Sequence, residues 1–260
     1  MPYHHIRGVD IYYEITGKGE PVILLHGLGS STRDWEAQVE ALSQQYQVIT
    51  CDTRGHGQSG KPPGPYSASG FAQDLIGLME ALSLESAHII GLSMGGMIAF
   101  QLAADAPGRL RSMTIINFGP EMVSHTFKER VQVWIRFAVV NLMGMKGMGK
   151  YLADRLFPED DQLEIREVFI TRWAENNQRA YKDAMRSIVG WSVADKLAEM
   201  DIPTLVIASE FDYTPVAEKE AYIAKMPNAE LRVIPNARHA VPAGRPDEVN
   251  AILLDWLDKQ

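Results

Sequence analysis

The sequence predicts an α/β fold in which a mostly parallel sheet, flanked by helices, carries an inserted helical cap. Short apolar runs alternate with segments of helical periodicity over residues 9–117, which is the pattern of strand–helix units. The alternation stops at residues 121–190, where helical patterns follow one another, and resumes at residues 203–208. A length of 260 residues suits one large domain with an insertion. We therefore expect a core of residues 1–120 and 191–260 and a cap of residues 121–190.

The predicted strands share short length, apolar composition and flanking turn residues. Residues 9–15 alternate apolar and polar side chains, as in a strand with one buried face. Residues 21–25 are continuously apolar, which is typical of a parallel strand covered on both faces. The other strands are predicted at residues 47–51, 87–90, 112–117, 203–208 and 231–234.

The predicted helices have apolar residues at intervals of three and four. Residues 71–82 show this pattern clearly, and it forms one apolar face. In the cap, residues 129–143 form a second amphipathic helix. The other predicted helices are residues 35–42, 97–104 and 246–257.

Charge and composition argue against several classes of partner. The formal net charge is −8, whereas a nucleic-acid-binding protein needs clustered lysine and arginine. No apolar stretch approaches the roughly 20 residues of a membrane-spanning helix, and residues 1–7 lack the apolar region of a signal peptide. The single cysteine, Cys51, ends a predicted strand and is interpreted as a buried hydrophobic residue. We expect a cytoplasmic protein with no nucleic-acid partner and no membrane insertion.

The strongest functional signal is the segment Gly91-Leu92-Ser93-Met94-Gly95. It lies between a predicted strand, residues 87–90, and a predicted helix, residues 97–104. A Gly-x-Ser-x-Gly turn in that position is a nucleophile elbow, which lifts the serine hydroxyl clear of the sheet. Glycines leave room in this turn where a Cβ would clash. The sequence therefore predicts Ser93 as a nucleophile.

A serine hydroxyl needs a base to remove its proton, and that base is usually a histidine oriented by a carboxylate. Two histidines follow Ser93: His125 at the start of the cap and His239 after the last predicted strand. His239 and Asp212 each follow a strand, where functional residues of open α/β sheets lie. The order Ser93, Asp212, His239 is the one expected with a nucleophile elbow.

Each candidate also has a purely structural interpretation. Considered alone, His239 fits a surface loop residue, and Asp212 fits a cap for the helix that follows it. Glu210 is a rival for the acid. A third position for an acid holds Asn117, an amide that cannot carry the negative charge needed beside an imidazolium. The ordered set favours a catalytic triad.

Acyl transfer also needs hydrogen-bond donors for the oxyanion. The backbone N–H of Met94 is one candidate, because it follows the nucleophile. The backbone N–H of Leu28, in the glycine-rich loop after residues 21–25, is the other. The side chains of both residues are expected to line the pocket. His26 and His56 are interpreted as residues that fix their loops by hydrogen bonding rather than as catalysts.

Several motifs together resemble the α/β-hydrolase fold family. They are His26-Gly27-Leu28-Gly29, Asp52-Thr53-Arg54-Gly55-His56-Gly57-Gln58-Ser59, Gly91-Leu92-Ser93-Met94-Gly95-Gly96, Pro203-Thr204-Leu205-Val206-Ile207 with Asp212, and His239. The resemblance covers residues 9–257 and implies an eight-stranded, mostly parallel sheet and catalysis without a cofactor or metal. It also implies Ser93 as nucleophile, Asp212 as acid and His239 as base. The elbow is similar to those of small carboxylesterases, 3-oxoadipate enol-lactonases and cofactor-free haloperoxidases.

Two positions depart from the family pattern. Many members have histidine before the nucleophile, where this chain has Leu92, and many have glycine where Glu210 stands. Neither change removes a catalytic group. Haloalkane dehalogenases have aspartate at the nucleophile position, so Ser93 argues against that activity.

The sequence favours a serine esterase that cleaves small to medium carboxylic esters through an acyl-enzyme. Lactone or C–C bond hydrolysis by the same triad is an alternative, and a hydrolase-fold receptor for a small ligand is another. In the cap, Trp134 and Met143 are candidate substrate-binding residues in an apolar roof, although packing on the core explains most such side chains. A dicarboxylate substrate would need cations, for which Arg130, Arg136 and Lys146 are available.

Overall fold

A computed structural model of the protein describes residues 2–124 and 126–260, the side chain of Asp161 excepted. His125, the first of the two histidines considered as a base, lies outside the described residues. Strands and helices alternate as far as residue 116, helices follow between residues 127 and 188, and strands resume at residue 204. This order agrees with the predicted α/β pattern.

The described residues contain eight strands: β1 (Tyr3–Ile6), β2 (Val9–Thr16), β3 (Pro21–Leu25), β4 (Gln47–Cys51), β5 (Ala87–Leu92), β6 (Leu110–Ile116), β7 (Thr204–Phe211) and β8 (Ala229–Arg238). They form one sheet in the order β1-β2-β4-β3-β5-β6-β7-β8. The β1–β2 and β2–β4 pairs are antiparallel and the other pairs are parallel. The expected mostly parallel, eight-stranded sheet is confirmed. It places the carboxyl ends of β5, β6, β7 and β8 at one edge.

The sequence pattern does not predict β1, which lies at the border of the sheet. Ile6 pairs with Val9 across a two-residue turn, in which Arg7 and Gly8 have φ angles of 47° and 78°. Ile6 is the one buried side chain of the strand. Because an edge strand is only partly covered, β1 lacks the apolar run that identifies the other strands.

The helices of the described residues are α1 (Glu36–Leu42), α2 (Ala68–Ala81), α3 (Met94–Asp105), α4 (Phe127–Leu156), α5 (Leu163–Ala174), α6 (Gln178–Ile188), α7 (Val216–Ile223), α8 (Val241–Gly244) and α9 (Pro246–Leu257). The helices predicted in the core correspond to α1, α2, α3 and α9. The predicted amphipathic cap helix is the first half of α4, which bends at Gly144 (φ 66°, ψ −168°). None of these helices has the length and apolarity needed to cross a lipid bilayer.

The helices α4, α5 and α6 lie in the segment predicted to be a cap. The two ends of this segment meet, since Glu121 forms an antiparallel bridge with Ser192. Next to the bridge, the Val193 N–H donates to the Pro120 carbonyl at 2.8 Å. The segment therefore leaves and rejoins the sheet at one place. The division into a core and a cap, with the boundaries given above, stays a prediction.

Apolar clusters cover both faces of the sheet. Along β3, Ile23 and Leu25 belong to one cluster and Val22 and Leu24 to the other, because successive side chains of a strand point to opposite faces. Cys51, at the end of β4, is buried as predicted, and burial raises the pKa of its thiol to about 12. This packing holds the strand ends rigidly, so the loops that follow them start from fixed positions.

Candidate active site

Ser93 occupies the sharp turn between β5 and α3. Its backbone has φ 52° and ψ −113°, a conformation that residues other than glycine rarely adopt. Its N–H donates to the Ile116 carbonyl at 3.0 Å. A Cβ on Gly91 would collide with the Gly95 carbonyl, and a Cβ on Gly95 would collide with the carbonyl of Leu25. The turn therefore requires both glycines. It leaves Ser93 at the N-terminus of α3, where the helix dipole favours developing negative charge.

Asp212 and His239 directly follow the carboxyl ends of β7 and β8 and are in contact. The His239 Nδ1 lies 2.5 Å from the Asp212 Oδ1. Since an ionised carboxylate only accepts hydrogen bonds, Nδ1 carries the proton and Nε2 is left as an acceptor. The Asp212 side chain is 1% exposed and that of His239 is 15% exposed. The rival acid, Glu210, is exposed and accepts a hydrogen bond from the Asn236 N–H at 2.8 Å.

A buried lysine, Lys219 in α7, binds the second oxygen of Asp212. Its Nζ lies 2.7 Å from the Asp212 Oδ2 and also donates to the Thr214 carbonyl at 2.9 Å. The Lys219 side chain is 1% exposed. Burial alone raises the pKa of Asp212, but the His239 imidazole and the Lys219 ammonium outweigh it and lower that pKa to about 2. Sequence reasoning misses Lys219, because a lysine in a short helix is normally exposed.

Asn117, one residue beyond β6, links the elbow to the histidine loop. Its amide nitrogen donates to the Ser209 hydroxyl at 2.8 Å and to the His239 carbonyl at 2.9 Å. Its amide oxygen accepts from the Ser209 N–H at 2.8 Å. The preceding residue, Ile116, is the one that accepts from the Ser93 N–H. The position needs a side chain that both donates and accepts, which an amide can do and a carboxylate cannot.

The structure brings Ser93 and His239 to the same edge of the sheet. The adjacent residues Ile116 and Asn117 bind the backbones of Ser93 and His239 respectively. Among the described residues, no hydrogen bond joins the Ser93 hydroxyl to the imidazole. Bonds between a nucleophile and its base are often loose before a substrate binds. Asp212 and His239 are thus in contact, and Ser93 stands near them without a bond to either.

The loop that follows β3 is fixed by His26, as the sequence predicts. The His26 Nδ1 donates to the Gly27 carbonyl at 2.8 Å, and its Nε2 accepts from the Thr53 N–H at 3.1 Å. Because a trans peptide points its C=O and N–H in opposite directions, holding the Gly27 carbonyl aims the Leu28 N–H away from the imidazole. A Cβ on Gly27 would lie 3.7 Å from the Ser93 Cβ. The loop therefore lies directly beside the serine.

The two predicted oxyanion donors, the N–H groups of Leu28 and Met94, have no acceptor among the residues that the structure describes. Met94 is the first residue of α3, so its N–H has no partner inside the helix. The Leu28 N–H donates to no backbone acceptor in residues 2–124 and 126–260. Both residues are buried. Two unpaired donors near one serine form the arrangement that an oxyanion requires.

A comparison with models of known protein families assigns the chain to one of them. The family model described as "alpha/beta hydrolase fold" matches residues 20–246. The chain belongs to the α/β-hydrolase fold family. This confirms the family expected from the sequence motifs, and it supports the broad assignment to hydrolases.

Individual members resemble this α/β-hydrolase over its whole length. A relative from Azorhizobium caulinodans, named "Putative carbamate hydrolase RutD", is 30% identical, and the match covers 98% of each chain. The solved enol-lactonase from Burkholderia xenovorans LB400 has a TM-score of 0.91 at 25% identity, covering 99% of this chain and 100% of the other. A thermophilic esterase from Thermogutta terrifontis has a TM-score of 0.88 at 27% identity, covering 100% and 97%.

Two residues predicted to bind substrate lie on the surface of this α/β-hydrolase. Trp134 is 69% exposed and Met143 is 61% exposed, so neither side chain packs in the interior. On the same helix, Val140 is fully buried, and Arg136 and Phe137 are half-buried. Amphipathic spacing identified the helix, but the apolar residues at its surface also belong to that pattern. Substrate contact by Trp134 and Met143 stays a prediction.

Tyr213 is a further residue that the sequence does not single out in this α/β-hydrolase. Its ring stacks on the His239 imidazole, with centroids 4.3 Å apart and planes inclined by 28°. The contact holds the imidazole from a side that Asp212 does not cover. Its one sequence signal is that it directly follows the acid. In the described part of the chain, no three histidine, cysteine, aspartate or glutamate side chains are grouped so as to hold a metal ion.

Proposed function

We propose that this α/β-hydrolase cleaves small to medium carboxylic esters through an acyl-enzyme, with Ser93 as nucleophile, His239 as base and Asp212 as acid. The observation that carries the proposal is the 2.5 Å contact between the His239 Nδ1 and the Asp212 Oδ1 at the edge where Ser93 stands. With the Nδ1 proton directed to Asp212, the neutral imidazole has its lone pair on Nε2, which is the atom a general base uses.

In the first half-reaction, the His239 Nε2 takes the proton of the Ser93 hydroxyl as its Oγ forms a bond to the ester carbonyl carbon. The carbonyl oxygen becomes an oxyanion and accepts hydrogen bonds from the Leu28 and Met94 N–H groups. The tetrahedral intermediate then expels the alcohol. The proton on Nε2 passes to the alcohol oxygen, the C–O bond breaks, and the acyl group remains on Ser93.

In the second half-reaction, water replaces the alcohol. The His239 Nε2 takes a proton from this water while its oxygen bonds to the acyl carbon. The collapse of the second tetrahedral intermediate returns the proton to the Ser93 Oγ and releases the acid. Throughout, Asp212 holds the imidazole in one tautomer and balances the positive charge that forms on it.

The proposal is tested with a 4-nitrophenyl ester and with an organophosphonate. We expect a burst of 4-nitrophenol followed by a slower steady state, and covalent labelling of Ser93. Ser93→Ala should lower kcat/KM by about 10³-fold or more and abolish labelling. Undiminished turnover by folded S93A, or a folded wild-type chain that stays unlabelled, would contradict the mechanism.

Lactone or C–C bond hydrolysis by the same three residues is a second candidate. The observation in its favour is the TM-score of 0.91 with the Burkholderia enol-lactonase. A relative from Acinetobacter baylyi, 29% identical, is named "(E)-2-((N-methylformamido)methylene)succinate hydrolase". A panel of esters of graded acyl length, lactones and vinylogous diketones separates these activities by kcat/KM. Turnover of the panel also distinguishes an enzyme from a receptor for a small ligand.

A further inference from the structure

Arg136, in the first half of α4, has no ion-pair partner among the described residues. It is a half-buried residue of α4, and its Nε donates to the Tyr181 hydroxyl at 2.9 Å. Tyr181, in α6, is 1% exposed. The hydroxyls of Tyr213 and Tyr151 also act electrostatically on the guanidinium. Within the described residues, Arg136 therefore meets phenols and forms no ion pair with a carboxylate.

Other arginines of the described residues have the carboxylate partner that Arg136 lacks. Arg54, which is also half-buried, forms an ion pair with Asp74. At the surface, Arg172 forms an ion pair with Glu36 at 2.8 Å. A cation withdrawn from water has a desolvation cost, which a carboxylate offsets and a neutral phenol offsets only in part. Arg136 is thus ready to accept an anion.

Two contacts place Arg136 beside the proposed catalytic groups. Tyr181 packs on the loop after β3, since a Cβ on Gly29 would lie 3.0 Å from the Tyr181 Cε2. Tyr213, which acts electrostatically on the guanidinium, stacks on the His239 imidazole. Arg136 is therefore bonded to a residue that packs on the loop of the proposed oxyanion donor, and it lies near the residue that stacks on the proposed base.

We propose that Arg136 binds a carboxylate of the substrate, so that this hydrolase acts on esters or lactones that also carry a free carboxylate. The inference rests on the proposed function of Ser93. A guanidinium has five N–H donors. The Nε–H is used by Tyr181, which leaves the four donors on Nη1 and Nη2. Two of these, pointing in parallel, form the bidentate pair with a carboxylate that lysine cannot form.

The test compares an anionic ester with a neutral ester of similar size in each of two pairs. One pair is 4-nitrophenyl hydrogen glutarate and neutral 4-nitrophenyl pentanoate, which differ by a carboxylate in the acyl part. The other pair is 4-acetoxybenzoate and 4-nitrophenyl acetate, which places the carboxylate in the alcohol part. We expect Arg136→Met to lower kcat/KM for the anionic ester of one pair by about 10- to 100-fold, with the neutral esters changed by less than about twofold.

Variants of three other kinds serve as controls. Arg136→Lys keeps the positive charge but loses the paired N–H donors of the guanidinium, so it should retain only part of the preference for the anionic ester. Arg130→Met makes the same change at an exposed arginine of α4 and should leave every ester unaffected. Arg155, an exposed residue, is the second cation that acts on Tyr213, and Arg155→Met tests its contribution. If R155M rather than R136M removes the preference, or if R136M slows anionic and neutral esters equally, the proposal is wrong.

Binding without turnover separates this inference from the proposed function. Calorimetry with monomethyl glutarate compares S93A with S93A/R136M. We expect binding to S93A and at least tenfold weaker binding to the double variant. If S93A keeps full turnover, the proposed mechanism fails, while the calorimetry still decides the role of Arg136. Equal affinities in the two variants would overturn the anion site even where Ser93 is confirmed as the nucleophile.

Discussion

The carboxylate of Asp212 is shared between two cationic groups. Its Oδ1 contacts the His239 imidazole at 2.5 Å, and its Oδ2 contacts the Lys219 ammonium at 2.7 Å. A carboxylate that is 1% exposed has lost almost all its hydration, so it remains ionised only because both oxygens are paired. Lys219 is equally buried, and therefore each of the two charges depends on the other.

Replacing Lys219 by methionine should show this dependence. We expect Lys219→Met to lower the free energy of unfolding by about 3–5 kcal/mol, because it leaves a buried charge without its partner. It should also lower kcat for an ester, since Asp212 then orients His239 less firmly. Urea unfolding and steady-state kinetics at pH 7 measure the two effects. Lys225→Met, an exposed change just after α7, should leave both unchanged, and equal stability of K219M and K225M would refute the account.

At this scale the sequence predicts the residues whose type and order identify them. The elbow predicts Ser93, and the order of residues after it predicts Asp212 and His239. The sequence does not predict Lys219, and it offers Asn117 only as a position that lacks an acid, because nothing local distinguishes a buried lysine or a buried amide from an exposed one. Their partners come from strands and helices distant in the chain, and only the folded structure brings them together.

The helix α4 extends over 30 residues but is bent at one of them. Gly144 has φ 66° and ψ −168°, a combination that is nearly restricted to glycine. Before the bend, Trp134 and Leu142 are exposed. After it, Met148 and Leu152 are buried. The bend thus separates a first segment, in which Val140 is the one buried residue, from a second segment that has six.

Gly144→Ala should destabilise the protein through its backbone alone. A Cβ there would lie 4.0 Å from the nearest atom, the Gln178 Oε1, so there is space for a methyl group. We expect a loss of about 1–3 kcal/mol of unfolding free energy from the unfavourable φ and ψ, measured by urea titration. Gly108→Ala, where space is also open and φ is ordinary, is the matched control. A G144A variant as stable as G108A would contradict this explanation.

The elements most easily predicted are those buried on both faces. Residues 21–25 and 47–51 match β3 and β4. The continuous apolar run of residues 21–25 is a direct consequence of double coverage. β1 was missed, since its pairing with β2 rather than its own composition makes it a strand. The bend at Gly144 was missed as well, because a glycine in a helical pattern does not reveal its backbone angles.

For the whole molecule, the parallel sheet brings distant residues to one edge. Ser93, Asn117, Asp212 and His239 each lie within a residue of the carboxyl end of β5, β6, β7 or β8. This topology could be predicted from the alternation of strands and helices, together with the family resemblance. The hydrogen bonds among these loops could not, since they depend on side-chain placement that periodicity does not encode.

The free energy of unfolding should fall at low pH as Asp212 becomes protonated. Its pKa in the folded protein, about 2, lies below the ordinary value of 3.8. The ionised group therefore stabilises the fold above about pH 4 by about 2 kcal/mol, and this contribution is lost as the pH falls from about 4 to 2. The difference in unfolding free energy between wild type and Asp212→Asn should shrink over that interval. The exposed control Asp195→Asn should show little such change, and a pH-independent difference for D212N would refute the assignment.

The bridge between Glu121 and Ser192 has a consequence for how this chain can diversify. Because its two ends are held together, the segment between them is a closed loop. The entropic cost of closing such a loop grows only logarithmically with its length. Whole helices could be exchanged or added in this segment without a change in the strand order of the sheet. New specificities would then arise by exchange of this segment, with Ser93, Asp212 and His239 left unchanged.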